Sequence, residues 1–201
     1  MSNSAVLPAP SALGYYRTMS RIRITGGEWR SRLIQVIDAP GLRPTPDRVR
    51  ETLFNWLGQD LAGWHCLDLF AGSGILGFEC ASRGAQSVVM VERDQGVFAR
   101  LQQNAGLFVC ERLRLQKADA IEFAAKSGLT FDLLLLDPPY RLGLLDKVAP
   151  LLETLARPGM RVYAEAEHRI GALGAWRTVK QGQAGQVFYH LLEHSHSREC
   201  T

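Results

Sequence analysis

The 201-residue chain has no apolar run near the ~18–20 residues that a membrane helix requires, so no membrane partner is expected. Cysteine is scarce. Cys66, Cys80, Cys110 and Cys200 form no CxxC pair and show no spacing typical of a metal site. Three of them lie in apolar contexts and read as buried thiols in a reducing compartment. His190, His194 and His196 have no cysteine or carboxylate constellation around them, so solvated tail histidines are expected and no metal. The opening MSNSAVLPAPSALGYYRT lacks a basic n-region and is broken by Pro8 and Pro10, which argues against a signal peptide. Residues 1–19 are expected to be a disordered tail, consistent with an upstream start site, and the cytoplasm is the expected compartment. No internal repeat is present, and no low-complexity tract outside that tail.

Hydrophobic residues make up 46% and charged residues 21%, an ordinary globular balance with a sizeable core. The net charge of +3 hides an uneven distribution. Eight arginines and three acids fall between Arg17 and Arg50, so that stretch is strongly basic and the remainder slightly acidic. A basic arm on a near-neutral body points to a polyanionic partner, or else to a solvated arginine-rich hairpin.

RIRIT (21–25), the turn GGEW and SRLIQVI (31–37) predict a β-hairpin. Thr45 and Pro46 read as the N-cap and first residue of a helix over 46–61, with Val49, Leu53, Trp56, Leu57 and Leu61 at helical spacing. Strand and helix patterns then alternate. WHCLDLF leads to ILGFECASRG with a stop at Gly84, QSVVMVE to DQGVFARLQQNAGLF, and LRLQ to ADAIEFAAKSG. FDLLLLD leads to LLDKVAPLLETLA, a helix despite Pro150, and MRVYAEAE, WRTVKQG and QVFYHLLE close the chain as strands. Apolar strands with short crossovers predict an α/β, mostly parallel, doubly wound sheet. The last two strands predict an antiparallel finish. His65 and Cys66 read as core, and Asp132 as a strand-start residue.

DLFAGSGILG holds Gly72, Gly74 and Gly77, a literal G-x-G-x-x-G, with Glu92 twenty residues beyond Gly72. Glu92 ends the second strand of the sheet, where a carboxylate can accept two ribose hydroxyls. That serves NAD and S-adenosylmethionine alike. Asp119 follows the third strand, within reach of an adenine amine. Asp68 discriminates: beside a pyrophosphate it repels, whereas beside ammonium and sulfonium groups it attracts. Its alternative is to cap the turn. The balance favours the methyl donor.

LLLLDPPY is the sharpest signal. Four leucines bury the strand, then Asp137, Pro138, Pro139 and Tyr140 leave it at the ligand edge. The prolines give no N–H to the ladder and fix their φ. Methylating an exocyclic amine needs acceptors for its N–H groups, because its lone pair is delocalised into the ring. The Asp137 carboxylate and the Pro138 carbonyl supply them. Tyr140 offers a stacking face worth ~1–3 kcal/mol, and the base must be unpaired or flipped to reach it. A plain strand-to-loop turn is the competing reading, and the surrounding motifs outweigh it.

With these motifs the chain resembles the RsmD family of bacterial 16S ribosomal RNA guanine-N2 methyltransferases, from about Arg21 to Glu193. The resemblance is carried by RITGGEWRSR, PGLRPTPDRVRETLFNWL, CLDLFAGSGILGFECASRGA, VERD, LLLLDPPY with RLGLL, and AGQVFYHLL. It implies a Rossmann-like class I S-adenosylmethionine-dependent methyltransferase fold, with an antiparallel C-terminal hairpin and a small N-terminal one. It implies that Asp68, Phe70, Ala71, Gly72, Ser73, Gly74, Glu92, Arg93, Asp119 and Ala120 hold the cofactor, with Thr45 lining the same pocket. Asp137, Pro138, Pro139 and Tyr140 would hold the base. The implied partner is 16S rRNA in the small subunit or an assembly intermediate, met by a monomer. Tyr140 stands where Phe is common, and Pro46 where Thr is common.

By that resemblance residues 20–45 form a basic RNA-binding hairpin and loop, 46–194 the methyltransferase domain and 195–201 a tail. Arg21, Arg23, Arg30, Arg32 and Arg43 are the candidate phosphate contacts, which would position RNA rather than read it. Arg48 and Arg50 lie in the same stretch, with Arg48 and Glu51 at i, i+3 spacing. Trp29 is open between stacking on a base and packing the hairpin. The alternatives are a DNA or other RNA amino-methyltransferase, a nicotinamide oxidoreductase and a noncatalytic RNA-binding assembly factor. The oxidoreductase leaves DPPY and the basic arm without a purpose.

Overall fold

The computed structural model describes residues 19–37 and 44–195. The expected tail up to residue 18, Arg43 and His196 lie outside the described residues. Strand β1 (Met19–Arg23) pairs antiparallel with β2 (Leu33–Ile37), Arg21 opposite Gln35. Met19, placed in the tail by its sequence context, therefore begins the first strand. The chain continues through α1 (Asp47–Leu57), β3 (His65–Asp68), α2 (Ile75–Ser82), β4 (Ser87–Glu92) and α3 (Gln95–Gly106). Next come β5 (Leu113–Lys117), α4 (Ala120–Lys126) and β6 (Phe131–Leu136). After α5 (Leu144–Val148) and α6 (Leu152–Leu155), strands β7 (Ala156–Ala166), β8 (Ala172–Leu173), β9 (Trp176–Ala184) and β10 (Val187–His194) complete it.

The eight-stranded sheet runs β5-β4-β3-β6-β7-β10-β9-β8. Neighbours from β5 to β7 are parallel, and those from β7 to β8 antiparallel. The winding reverses between β3 and β6. That reversal puts the crevice for a ligand at the carboxyl ends of those two strands. The leucine run explains why β6 is central. Leu133 and Leu135 face the core beneath α1–α3, and Leu134 and Leu136 the core beneath α4–α6. Period-two side chains thus serve two apolar layers.

The hairpin shares the first of these cores through Ile24, Trp29 and Ile34. Trp29 is 3% exposed and stacks on Phe108 at 4.3 Å between ring centres, so packing is its role and a base cannot reach it. Gly27 has φ +77°, and a Cβ there would lie 1.9 Å from the Ser82 carbonyl oxygen. Only glycine lets the hairpin turn press that closely on the end of α2.

Several elements depart from the sequence pattern. The first helix spans Asp47–Leu57 rather than 46–61, stopping at Gly58 with φ +102°. Thr45 does not cap it: Pro46 holds the cap position without a side-chain bond, and the Thr45 hydroxyl turns to Glu165 instead. Pro150 splits the expected single helix into α5, a 3-10 turn over Ala149–Leu151 and α6, because proline donates no backbone hydrogen bond. β7 starts earlier than the pattern, and the two-residue β8 had no clear signal.

The i, i+3 ion pair of α1 is Asp47–Arg50, not Arg48–Glu51. Arg50 is fully buried and not a phosphate contact. It donates to Glu79 (3.1 Å), the Thr45 carbonyl (2.9 Å), the Arg23 carbonyl (2.6 Å) and Asp47 (2.9 Å). Glu79 also pairs with Arg83 and accepts from the Thr25 amide and hydroxyl. One guanidinium therefore ties the hairpin, the segment before α1, and α2 together. Arg50→Met is expected to cost about 3–5 kcal/mol, since it leaves carbonyls and part of a buried charge network unpartnered. Chemical denaturation checks this, and an unchanged midpoint would contradict it.

His190 is likewise a core residue, not a solvated one. Its Nε2 accepts from the Ile170 amide (3.0 Å), leaving Nδ1 to donate to the Ala164 carbonyl (3.3 Å), and burial pushes its pKa down. His194 lies beside Glu153 and against Trp176.

Candidate active site

Asp68 ends β3 and is 1% exposed. Its Oδ2 accepts the Gly77 amide at 3.0 Å, so the carboxylate braces the first turn of α2 across the glycine loop. The loop itself needs glycine: Gly74 has φ +80°, and a Cβ there would lie 2.3 Å from the Leu101 side chain. Ala71 donates to the Val91 carbonyl (2.9 Å), and the Ser73 hydroxyl accepts from the Ile75 amide (3.3 Å). Phe70 is half-buried beside them. Glu92 ends β4 and accepts two amides, Gly72 at 3.0 Å and Asp94 at 2.7 Å. It faces the glycine loop. Arg93 is exposed next to it. Asp119 caps α4, with one oxygen accepting the Ile121 and Glu122 amides, and Ala120 is buried behind it.

Asp137 follows β6, and the structure sets it in company the motif did not reveal. Thr45, 2% exposed, lies between Asp137 and Glu165. Its hydroxyl is 2.7 Å from Glu165 Oε1 and 3.5 Å from Asp137 Oδ2. Tyr163 donates its hydroxyl to the same Oε1 at 2.8 Å. Glu165, near the end of β7, is 3% exposed. Sequence reasoning missed Glu165 and Tyr163. The signal was present: a carboxylate in VYAEAE closes an apolar strand beside the DPPY strand.

Asp68, Asp137 and Glu165 thus converge where the sheet winding reverses, and among the described residues none has an ion-pair partner. Burial raises the Asp68 pKa to about 7 against the Gly77 hydrogen bond, with Glu92 and Glu165 adding to the rise. Loss of hydration, then the Glu165 and Asp68 charges, hold Asp137 well above the usual carboxylate range. Loss of hydration also raises Glu165, against the Thr45 and Tyr163 hydrogen bonds. Such a donor set suits a cationic ligand and disfavours a pyrophosphate. The residues therefore fit S-adenosylmethionine better than a dinucleotide.

Beside Asp137, a cleft of about 340 Å³ opens between Pro138–Tyr140 and the segment Glu165–Leu173. Tyr140 is 38% exposed at its edge. Arg141 takes φ +64°, its amide donating to Glu167 at 3.1 Å.

The model of the family described as Conserved hypothetical protein 95 matches residues 22–193. Ribosomal RNA small subunit methyltransferase D of Escherichia coli K12 is 41% identical over 179 residues, covering 86% of this chain and 90% of the relative. The chain belongs to the RsmD family. The protein of that name from Haemophilus influenzae is 36% identical over 180 residues, covering 86% of this chain and 93% of the relative. The solved E. coli protein yhhF superposes with a TM-score of 0.79 at 37% identity, covering 87% of this chain and 98% of that one. The RsmD-family chain therefore has the class I methyltransferase fold expected from its sequence, with the antiparallel ending and the N-terminal hairpin.

The four described hairpin arginines of this RsmD-family chain divide into two groups. Arg32 donates to the Leu107 carbonyl and lies over Phe108, and Arg23 pairs with Asp47. Arg21 and Arg30 are exposed and, among the described residues, in no ion pair.

Proposed function

We propose that this chain methylates the exocyclic N2 amine of a guanine in 16S rRNA of the small ribosomal subunit, using S-adenosylmethionine. The observation that carries the reading is the Asp137–Tyr140 turn set against Asp68 and Glu165 at the point where the sheet winding reverses. S-adenosylmethionine supplies an electrophilic methyl group on a sulfonium. Asp68 and Gly72–Gly74 would hold its charged end, Glu92 its ribose and Asp119 its adenine through the carboxylate oxygen not used in capping. Asp137 and the Pro138 carbonyl accept the N–H groups of the amine and aim its lone pair, while Tyr140 stacks the base. Catalysis is then mainly positioning and electrostatics. Membership of the RsmD family, with relatives named as small-subunit rRNA methyltransferases, supports the substrate. Nucleoside analysis of RNA from treated, unmodified small subunits tests the base: N2-methylguanosine is expected, and N6-methyladenosine would overturn the assignment.

Arg21 and Arg30 are proposed as phosphate contacts of the hairpin. Arg21→Glu with Arg30→Glu is expected to weaken RNA binding and to flatten its dependence on salt. A titration at several salt concentrations checks this. Unchanged binding would mark both as merely solvated.

A further inference from the structure

Methylation of an amine leaves a proton to dispose of. Asp137 is the acceptor nearest the amine in the reading above, and it sits in a partly closed site. The side chain that relieves it must be close, hydrogen-bonded and connected to solvent. Glu165 is hydrogen-bonded through Thr45 and, though itself 3% exposed, lines the cleft, whereas a base stacked on Tyr140 in the reading above would cover the half-buried Asp137. The Thr45 hydroxyl spans the two carboxylates, 3.5 Å from Asp137 Oδ2 and 2.7 Å from Glu165 Oε1. The Tyr163 hydroxyl holds Glu165 from its other neighbour at 2.8 Å. Glu165 also lines the open cleft beside Tyr140.

We propose that Glu165 is a positioning residue that draws the amine's proton away from Asp137 through the Thr45 hydroxyl. The proposal rests on the amine-methylation reading. The amine's lone pair forms the new N–C bond, and the pair of the broken S–C bond stays on sulfur. The N–H proton passes to the Asp137 carboxylate. Asp137 then donates to Thr45 Oγ1 as the Thr45 hydroxyl proton moves to Glu165, which releases it to cleft water. Thr45 ends unchanged. The step needs no oxidant or reductant, and no further base.

The groups facing this chain are Asp68 from β3, Tyr163 on β7 beside Glu165, and Tyr189 of β10 next to Tyr163. Cations face it too: Arg50 donates to the Thr45 carbonyl (2.9 Å), and Arg141 and Arg169, with His168, line the same cleft as Glu165.

Single-turnover methyl transfer measured against pH tests the relay. Wild type, Glu165→Gln, Thr45→Val and Thr45→Ser are compared, with cofactor binding by calorimetry as a check on folding. Glu165→Gln is expected to slow transfer by about tenfold or more at unchanged substrate affinity. Its rising pH limb moves to lower pH, because the Glu165 charge no longer opposes ionisation of Asp137. The infrared carboxyl band of the cofactor-free variant is expected to titrate at lower pH too. Thr45→Val slows transfer similarly, and Thr45→Ser restores it. Wild-type rates and an unmoved limb in Glu165→Gln and Thr45→Val would overturn the relay while leaving the methyltransferase reading intact. A wild-type enzyme inactive on RNA would overturn that reading, and the relay with it. If Glu165→Gln does not fold, equal rates for Thr45→Val and Thr45→Ser overturn the relay.

Discussion

Asp137→Ala is expected to abolish methyl transfer while leaving S-adenosylmethionine bound. In the proposed mechanism aligning the amine and taking its proton fall to this carboxylate, and general-base and positioning losses of this kind run to about 10²–10⁴-fold. In the proposed reading cofactor binding falls to other residues, Asp68, the glycine loop and Glu92 (3.0 Å from the Gly72 amide). The variant loses no ion pair, because among the described residues Asp137 has none, and it removes a carboxylate that the site holds at a raised pKa. Its fold is therefore expected to survive. Rates and calorimetric binding measured together check the split. Full activity in Asp137→Ala would refute the mechanism.

Asp68 gives the second large effect. Burial raises its pKa from 3.8 to about 7, so the folded protein keeps a proton that the unfolded chain releases. The stabilising contribution of that proton is complete below 3.8 and is lost as pH rises to about 7. Above that, the cofactor-free protein carries a buried charge that costs it roughly 4 kcal/mol. A cationic ligand reverses the preference, so S-adenosylmethionine is expected to bind more tightly as pH rises through 7. Below 7 its binding releases protons. Asp68→Asn keeps an acceptor for the Gly77 amide and removes the charge. The cofactor-free variant is expected to be more stable than wild type at pH 8. Its cofactor affinity should fall by about 10- to 100-fold, the scale of a lost charge-assisted contact, and lose most of its pH dependence. Thermal denaturation and calorimetry in buffers of different ionisation enthalpy check both. Proton release unchanged by the substitution would contradict the assignment.

The alternation of apolar strands and short crossovers made the parallel sheet legible, because each leucine of LLLLD must serve one of two covered faces. Glycines and acids at strand ends gave the ligand edge for the same reason: the topology puts those ends together. What stayed hidden depended on distant partners. Thr45 before Pro46 has the local look of a helix cap, and only the fold brings Glu165 to compete for its hydroxyl, 120 residues away in sequence. Arg50 looked like its arginine neighbours until Glu79 and two backbone carbonyls enclosed it. The sequence around Trp29 leaves its role open because Phe108, which covers it, lies in another part of the chain. At Pro150 the reason is local: its missing donor outweighs the helical spacing around it.

The most direct test is transfer of a labelled methyl group from S-adenosylmethionine to unmodified small ribosomal subunits, with naked 16S rRNA and DNA alongside and the product mapped to its base. Label on a single guanine of the subunit is the predicted result. Label on DNA or on adenine, or none anywhere despite bound cofactor, would contradict it.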